Sequence, residues 1–162
     1  MSMPQPDEAP DMARQRLRVW LRLLKATRLV EATVRENLRV EFDTTLPRFD
    51  VLAALYRFEY GLKMSELSAA LRVSNGNVTG IIERLVTDGL VLRVPVAGDK
   101  RATLVRLTKK GNEEFSKMAA AHATWVSAIL EELPPEACEQ MIGHLDTIGN
   151  SPKLTAKVNG DD

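Results

Sequence analysis

Residues 61–111 constrain the fold more than any other part of the chain. Glycines and capping residues cut this stretch into short pieces of fixed type. The segment SELSAAL at 65–71 reads as a short helix. Ser74 then stands at an N-cap position, and residues 75–88 read as a second helix closed by Gly89. Two β-branched runs follow at 91–96 and 103–107, joined by Ala97, Gly98, Asp99, Lys100, Arg101 and Ala102. They predict a hairpin with a basic tip of five to six residues. Helix, turn, helix and ribbon in this order is the layout of a winged helix-turn-helix. A helix and a ribbon of these sizes each match a groove of B-DNA.

The flanks are helical. Residues 1–10, with Pro4, Pro6 and Pro10 beside two acids, are expected to be disordered. A long helix is predicted from about 11 to 42, with Asp11 as its N-cap. Its apolar residues, among them Leu17, Trp20, Leu21, Leu24, Leu29, Val34 and Leu38, are too many for one face. The second face calls for a partner chain. Arg14, Arg18 and Arg22 form an i, i+4 stripe, readable as a solvated face or as a DNA or ligand contact. Thr44 or Thr45 with Pro47 opens the next helix, which Gly61 is expected to stop. Thr108 caps a long helix that Pro134 and Pro135 are expected to break. A last helix uses Ala137, Met141, Leu145 and Ile148, and a loose tail is expected after Ser151.

The net charge of zero conceals a division. Residues 60–110 carry nine Lys/Arg against four acids, and residues 111–162 carry three Lys against nine acids. Basic charge is thus concentrated where a DNA-binding lobe needs it, and opposed patches orient a protein on a polyanion. No run approaches the ~18 apolar residues of a membrane helix. No basic start followed by an apolar core opens the chain, so the expected location is cytoplasmic. The single cysteine, Cys138, excludes an internal disulfide.

Along the helix at 75–88, Val78, Ile81, Ile82 and Leu85 share one side. The other side carries Gly76, Gly80, Glu83 and Thr87, flanked by Asn77, Thr79 and Arg84. Each exposed glycine costs a helix about 1 kcal/mol against alanine. That cost has a use if a groove wall must approach the backbone; the alternative is that both glycines pack under a loop. Asn and Thr hydrogen-bond base edges or phosphates. Arg101 on a narrow ribbon suits a minor groove. Asp99, which DNA would repel if its carboxylate were free, is expected to pair with an arginine and fix the tip.

These residues resemble the MarR family of bacterial transcription regulators. The resemblance rests on SELSAAL, on VSNGNVTGIIERLVTDGLV and on the wing signature DKRATLVRLT followed by KKG, and it covers about 11–150. It implies a mostly α fold with a small β-hairpin. Dimerisation helices would occupy 11–46 and 111–150, and a winged helix-turn-helix DNA-binding lobe 47–110. It also implies a homodimer on a pseudo-palindromic duplex DNA site, acting as a repressor that a small aromatic or anionic effector releases. Carried over, the DNA-binding residues are Lys63, Ser74, Asn75, Asn77, Thr79, Arg84, Asp99, Lys100 and Arg101. Lys63 departs from the Ser or Thr usual at that cap, which leaves the cap open and offers a cation for a phosphate. The family's effector pocket maps to Trp20, Leu24, Arg28, Arg48, Phe49 and Leu52, with Arg48 as the anion holder. TLPRFD and SNGNVTG are similar to a branch controlling aromatic-acid breakdown, some members of which sense aryl-CoA thioesters.

Two other readings compete. Cys138 could make the protein a redox-responsive regulator, but Glu136 and Glu139 flank it, and a reactive thiol needs positive surroundings. The winged helix could serve protein contacts alone, against which its excess of basic residues speaks. No phosphate loop, metal-ligand cluster or nucleophile motif is present, so neither an enzyme nor a cofactor is expected.

Overall fold

Helix boundaries follow from local chemistry, with instructive exceptions. The structure is a computed structural model that describes residues 8–71 and 75–154. Helix α1, Glu8–Phe42, starts three residues earlier than its sequence predicts and takes in part of the stretch expected to be disordered. Pro10 lies in its first turn, where a missing N–H breaks no helical hydrogen bond. The helix ends with Asp43 in the left-handed region at φ 48°, while the Thr44 amide donates to the Leu38 carbonyl at 3.3 Å.

Helix α2, Leu46–Tyr56, begins as expected: the Thr45 hydroxyl accepts from the Arg48 amide at 3.3 Å, and Pro47 sits in the first turn. It does not run to Gly61. Gly61, at φ 93°, is required by the next element instead, since a Cβ there would lie 2.7 Å from the Val105 carbonyl oxygen. That element is a short strand the sequence did not announce, β1, Leu62–Lys63. Helix α3, Met64–Leu71, follows at once. Its N-terminus is capped by Glu66, whose carboxylate accepts from the Lys63 amide at 2.7 Å, so the missing Ser or Thr is replaced by half of a capping box.

Helix α4, Asn75–Thr87, closes at Gly89, φ 75°. The Leu90 amide reaches the Leu85 carbonyl and the Gly89 amide the Val86 carbonyl, each at 3.0 Å. This is a Schellman ending, with Leu85 and Leu90 both buried beside it. Strands β2, Val91–Val96, and β3, Asp99–Leu107, make the hairpin. The sheet order is β1-β3-β2, antiparallel throughout. The hairpin tip differs from the expected long loop. Val96 pairs with Asp99 and Pro95 with Thr103, so Ala97 and Gly98 turn the chain while Lys100, Arg101 and Ala102 bulge out of register.

Helix α5, Lys109–Ile129, starts at the expected cap. The Thr108 hydroxyl accepts from the Gly111 amide at 3.0 Å and donates to the Gly89 carbonyl at 2.6 Å. It ends before the prolines; Pro134 and Pro135 instead open helix α6, Pro135–Gly149, with Pro134 as N-cap. Residues 152–154 add a helical turn to the segment expected to be loose.

The chain divides into two compact units, Met1–Val126 and Ser127–Asp162. The core lies in the first. Leu38, Leu52, Leu55, Leu67, Ile82, Leu85 and Val105 are fully buried there, one or more from each of α1, α2, α3, α4 and β3. In the second unit, α6 buries no residue. Among the described residues, no helix is long and apolar enough to cross a membrane.

Candidate nucleic-acid interface

The period of α4 is what builds the site. Val78, Ile82 and Leu85 are 0% exposed and fix the helix on the core. Asn77, Thr79, Gly80, Glu83, Arg84 and Thr87 are exposed on its other side. Ile81 is half-buried at the boundary. A Cβ built on Gly80 meets nothing within 4 Å among the described residues, so this glycine packs under none of the described loops. Its backbone is open to anything that approaches. The Thr87 hydroxyl is returned to the helix, donating to the Glu83 carbonyl at 3.0 Å. Ser74 lies outside the described residues, as does the side chain of Asn75.

The far end of α4 is held from two sides. The Arg48 guanidinium, from the first turn of α2, binds the Asp88 carboxylate at 2.5 Å. Lys110, from the first turn of α5, donates to the Asp88 carbonyl at 3.2 Å. Both cations face the partial negative charge of a helix C-terminus, which reinforces the placement. The turn behind them is closely packed: a Cβ at Gly111 would overlap the Leu90 carbonyl oxygen. Sequence reasoning missed the Arg48–Asp88 pair, because forty positions separate the partners and no local pattern links them.

The arm supplies a second element. The Asp99 carboxylate accepts from the Arg101 amide at 3.0 Å. It therefore fixes the tip through the backbone, and the expected pairing with an arginine does not form among the described residues. Lys100 and Arg101 are exposed, and neither enters an ion pair among the described residues. Lys63 is exposed on β1.

The residues expected at an effector pocket are dispersed. Trp20 is 56% exposed, Arg28 is exposed and Leu24 half-buried, whereas Phe49 and Leu52 belong to the core. The Phe49 ring stacks on His122 at 4.8 Å and packs on Phe115 at 5.4 Å. Cavities open nearby among the described residues, three of them lined by Arg48. The largest of these three, about 570 Å³, lies between α2 and α4 against Pro47, Val51, Leu71, Ile81 and Arg84. Others of about 270 Å³ and 410 Å³ adjoin Leu52 with Lys117, and Glu83 with Thr87. Arg48 lines all three; Trp20, Leu24, Arg28 and Phe49 line none of them. An anion reaching Arg48 has to displace or join Asp88.

Asp50 sits on the same helix. Burial pushes its carboxyl above the usual value, Glu31 adds to the rise, and His122 and Arg35 oppose it. Cys138 is half-buried in α6, its Sγ 3.8 Å from the Leu133 carbonyl oxygen. Among the described residues no cluster of three or more His, Cys, Asp or Glu could hold a metal.

A helix-turn-helix with an exposed second helix, continued by a basic β-arm, defines a winged-helix protein. A sequence model of the MarR family matches residues 42–102. The chain is 30% identical over 143 residues to the HTH-type transcriptional regulator YkoM of Bacillus subtilis, covering 88% of this chain and 90% of that one. It is similar in structure to a MarR family transcriptional regulator from Silicibacter pomeroyi, with TM-score 0.72 and 31% identity over 85% of this chain and 95% of the other. The same fold occurs in a mutant MarR of Escherichia coli complexed with operator DNA, at TM-score 0.70 and 23% identity, covering 83% of this chain and 95% of that one. The chain belongs to the MarR family of transcriptional regulators.

Proposed function

We propose that the chain is a cytoplasmic, ligand-responsive repressor that binds a pseudo-palindromic duplex DNA site as a homodimer. The observation that carries this is the exposed face of α4, opened at Gly80 and set beside an arm with two cations that form no ion pair among the described residues. Asn77, Thr79 and Arg84 face a major groove, and Ser74 and Asn75 contact DNA with them. Arg101 and Lys100 reach the adjacent minor groove or its phosphates, Asp99 shapes the arm that carries them, and Lys63 meets a phosphate. Two copies related by a two-fold axis place their reading helices about 34–36 Å apart, one DNA turn. The helices at 11–46 and 111–150 join the copies.

The effector of this proposal is a small aromatic or anionic molecule, an aryl-CoA thioester among the candidates. It meets the Arg48 guanidinium, with Trp20, Leu24, Arg28, Phe49 and Leu52 completing the pocket in the dimer. It releases DNA to the extent that it binds the non-DNA arrangement more tightly. The test is selection of bound fragments from sheared genomic DNA at near-physiological salt. Enrichment of one palindrome with half-sites a turn apart is expected; no enrichment with effector-free protein would refute the reading. Transcription from the selected site with and without the protein then distinguishes a repressor from an activator.

A further inference from the structure

The first half of α1 carries a row of cations that the winged helix does not use. Residues 12–30 hold Arg14, Arg16, Arg18, Arg22, Lys25 and Arg28, and no acid. All six are exposed, and none enters an ion pair among the described residues. The second half of the helix differs: Arg35 lies 3.4 Å from Glu31, and Arg39 lies 2.6 Å from Glu36. At ~100° per residue, every cation of the first half but Arg16 falls within roughly a third of the helix circumference. Arginines at i and i+4 repel one another and weaken a helix, so the row has an electrostatic cost in the free protein.

The row is open on two counts. It lies opposite Leu17, Trp20 and Leu24, and opposite Val34 and Leu38, the residues α1 gives to its own core. Whatever covers the apolar side of α1 therefore leaves these cations in solvent. The row also runs clear of the core: at ~1.5 Å per residue, Arg14 stands about 30 Å along the axis from Val34.

Its dimensions suit one kind of polyanion. From Arg14 to Arg28 the five cations of the arc span about 21 Å. Each strand of duplex DNA presents a phosphate every ~3.4 Å of axis, roughly six over that length. Four of the five cations are arginines, whose planar fork matches phosphate oxygens. An anionic bilayer fits less well. An interfacial helix lays its apolar side in the lipid, and on α1 that side leads into the core.

We propose that this row is a second nucleic-acid surface, holding the phosphate backbone of a stretch of duplex other than the one that meets α4. Contacts to phosphates alone carry no sequence information, so any duplex serves. The inference rests on the DNA-binding reading and adds a second segment to it. A copy seated on its site through α4 holds another stretch of duplex along α1.

The test uses full-length protein saturated with its selected site, cut to about two helical turns, ~21 bp, and carrying one dye. A random-sequence duplex of the same length carries a second dye, and sedimentation velocity follows both. Wild type is expected to sediment with both dyes at low salt. Uptake of the second duplex is expected to fall with salt at a log–log slope of roughly −4. The variant Arg14→Gln with Arg18→Gln and Arg22→Gln keeps good helix formers in the row. It is expected to bind the selected site as wild type does and the second duplex roughly 100-fold more weakly. Lysine at the same three positions is expected to retain the second duplex. No uptake by wild type, or equal uptake by the glutamine variant, would overturn the proposal and leave the row to solvent. Weakened binding of the selected site by that variant, with no second duplex taken up by wild type, would assign the row to the first site instead. Phosphatidylserine vesicles that carry down wild type but not the variant, where no second duplex is taken up, would assign it to a membrane. If genomic selection yields no site, the sequence-specific reading fails by itself. The random duplex is then titrated alone, and equal affinity in wild type and the glutamine variant would overturn this proposal as well.

Discussion

Gly80 is where stability and binding oppose one another. Its position on α4 is exposed and unobstructed, so a methyl group there has no steric cost in the free protein. Gly80→Ala is expected to raise unfolding stability by about 1 kcal/mol while weakening operator binding, because the methyl occupies the space a groove wall would take. Denaturant unfolding and fluorescence anisotropy on one preparation check both signs. Asp50 gives a second residue-level expectation. Its carboxyl lies above the ordinary value, so the folded protein holds that proton more tightly than the unfolded chain. Stability from this group is complete below its unfolded value, near 3.8, and is lost as pH rises through the folded value. Asp50→Asn is therefore expected to be more stable than wild type at neutral pH and equal to it in strong acid, as pH-dependent melts would show. The face of α4 was legible in the sequence because helical period alone sorts Val78, Ile82 and Leu85 from Asn77, Gly80 and Arg84. The environment of Asp50 was not, since the charges of Glu31 and His122 act on it only across the tertiary fold.

Among the elements, those whose ends are set by local chemistry were the readable ones. Thr45, Thr108 and Gly89 act where the sequence places them, and β2 keeps its expected bounds. Strand β1 escaped because two residues have no period; only their pairing with Val105 and Leu104 makes them a strand. Gly61 was misread for a related reason, as its positive φ serves contact with β3 and not the end of α2. Helix α4 is likewise placed by non-local contacts. Arg48→Ala is expected to leave the fold intact but lower operator affinity several-fold, since Asp88 loses its cation and α4 its anchor. Gly111→Ala acts at the other side of that joint. Its methyl must push the Leu90 backbone aside, and overpacking of this kind costs about 1–3 kcal/mol. A thermal melt of purified variant against wild type measures it.

For the whole molecule, a net charge of zero is a poor guide to behaviour on DNA. The basic lobe is expected to give an affinity that falls steeply with salt, and Arg101→Ala to reduce the slope of log affinity against log salt by about 1. Anisotropy titrations at four or five salt concentrations suffice; an unchanged slope would remove Arg101 from the phosphates or groove. The exposed face of α4 and the exposed basic arm were legible because they lie within one continuous segment. The expected effector residues were harder to place. Trp20, Leu24 and Arg28 stay apart from the cavities around Arg48 within one chain.

The turn at 88–90 has a mechanical consequence. Arg48 and Lys110 grip Asp88, Thr108 holds the Gly89 carbonyl, and Gly111 lies against Leu90 with no room for a methyl group. A joint without slack passes on rotation and absorbs none of it. A shift of α2 or α5 must then reorient α4 as a rigid rod, with its hydrogen bonds intact. Amide exchange along α4 should consequently be as slow in the released protein as in the DNA-free resting state, and the information carried to the groove is the direction of an axis.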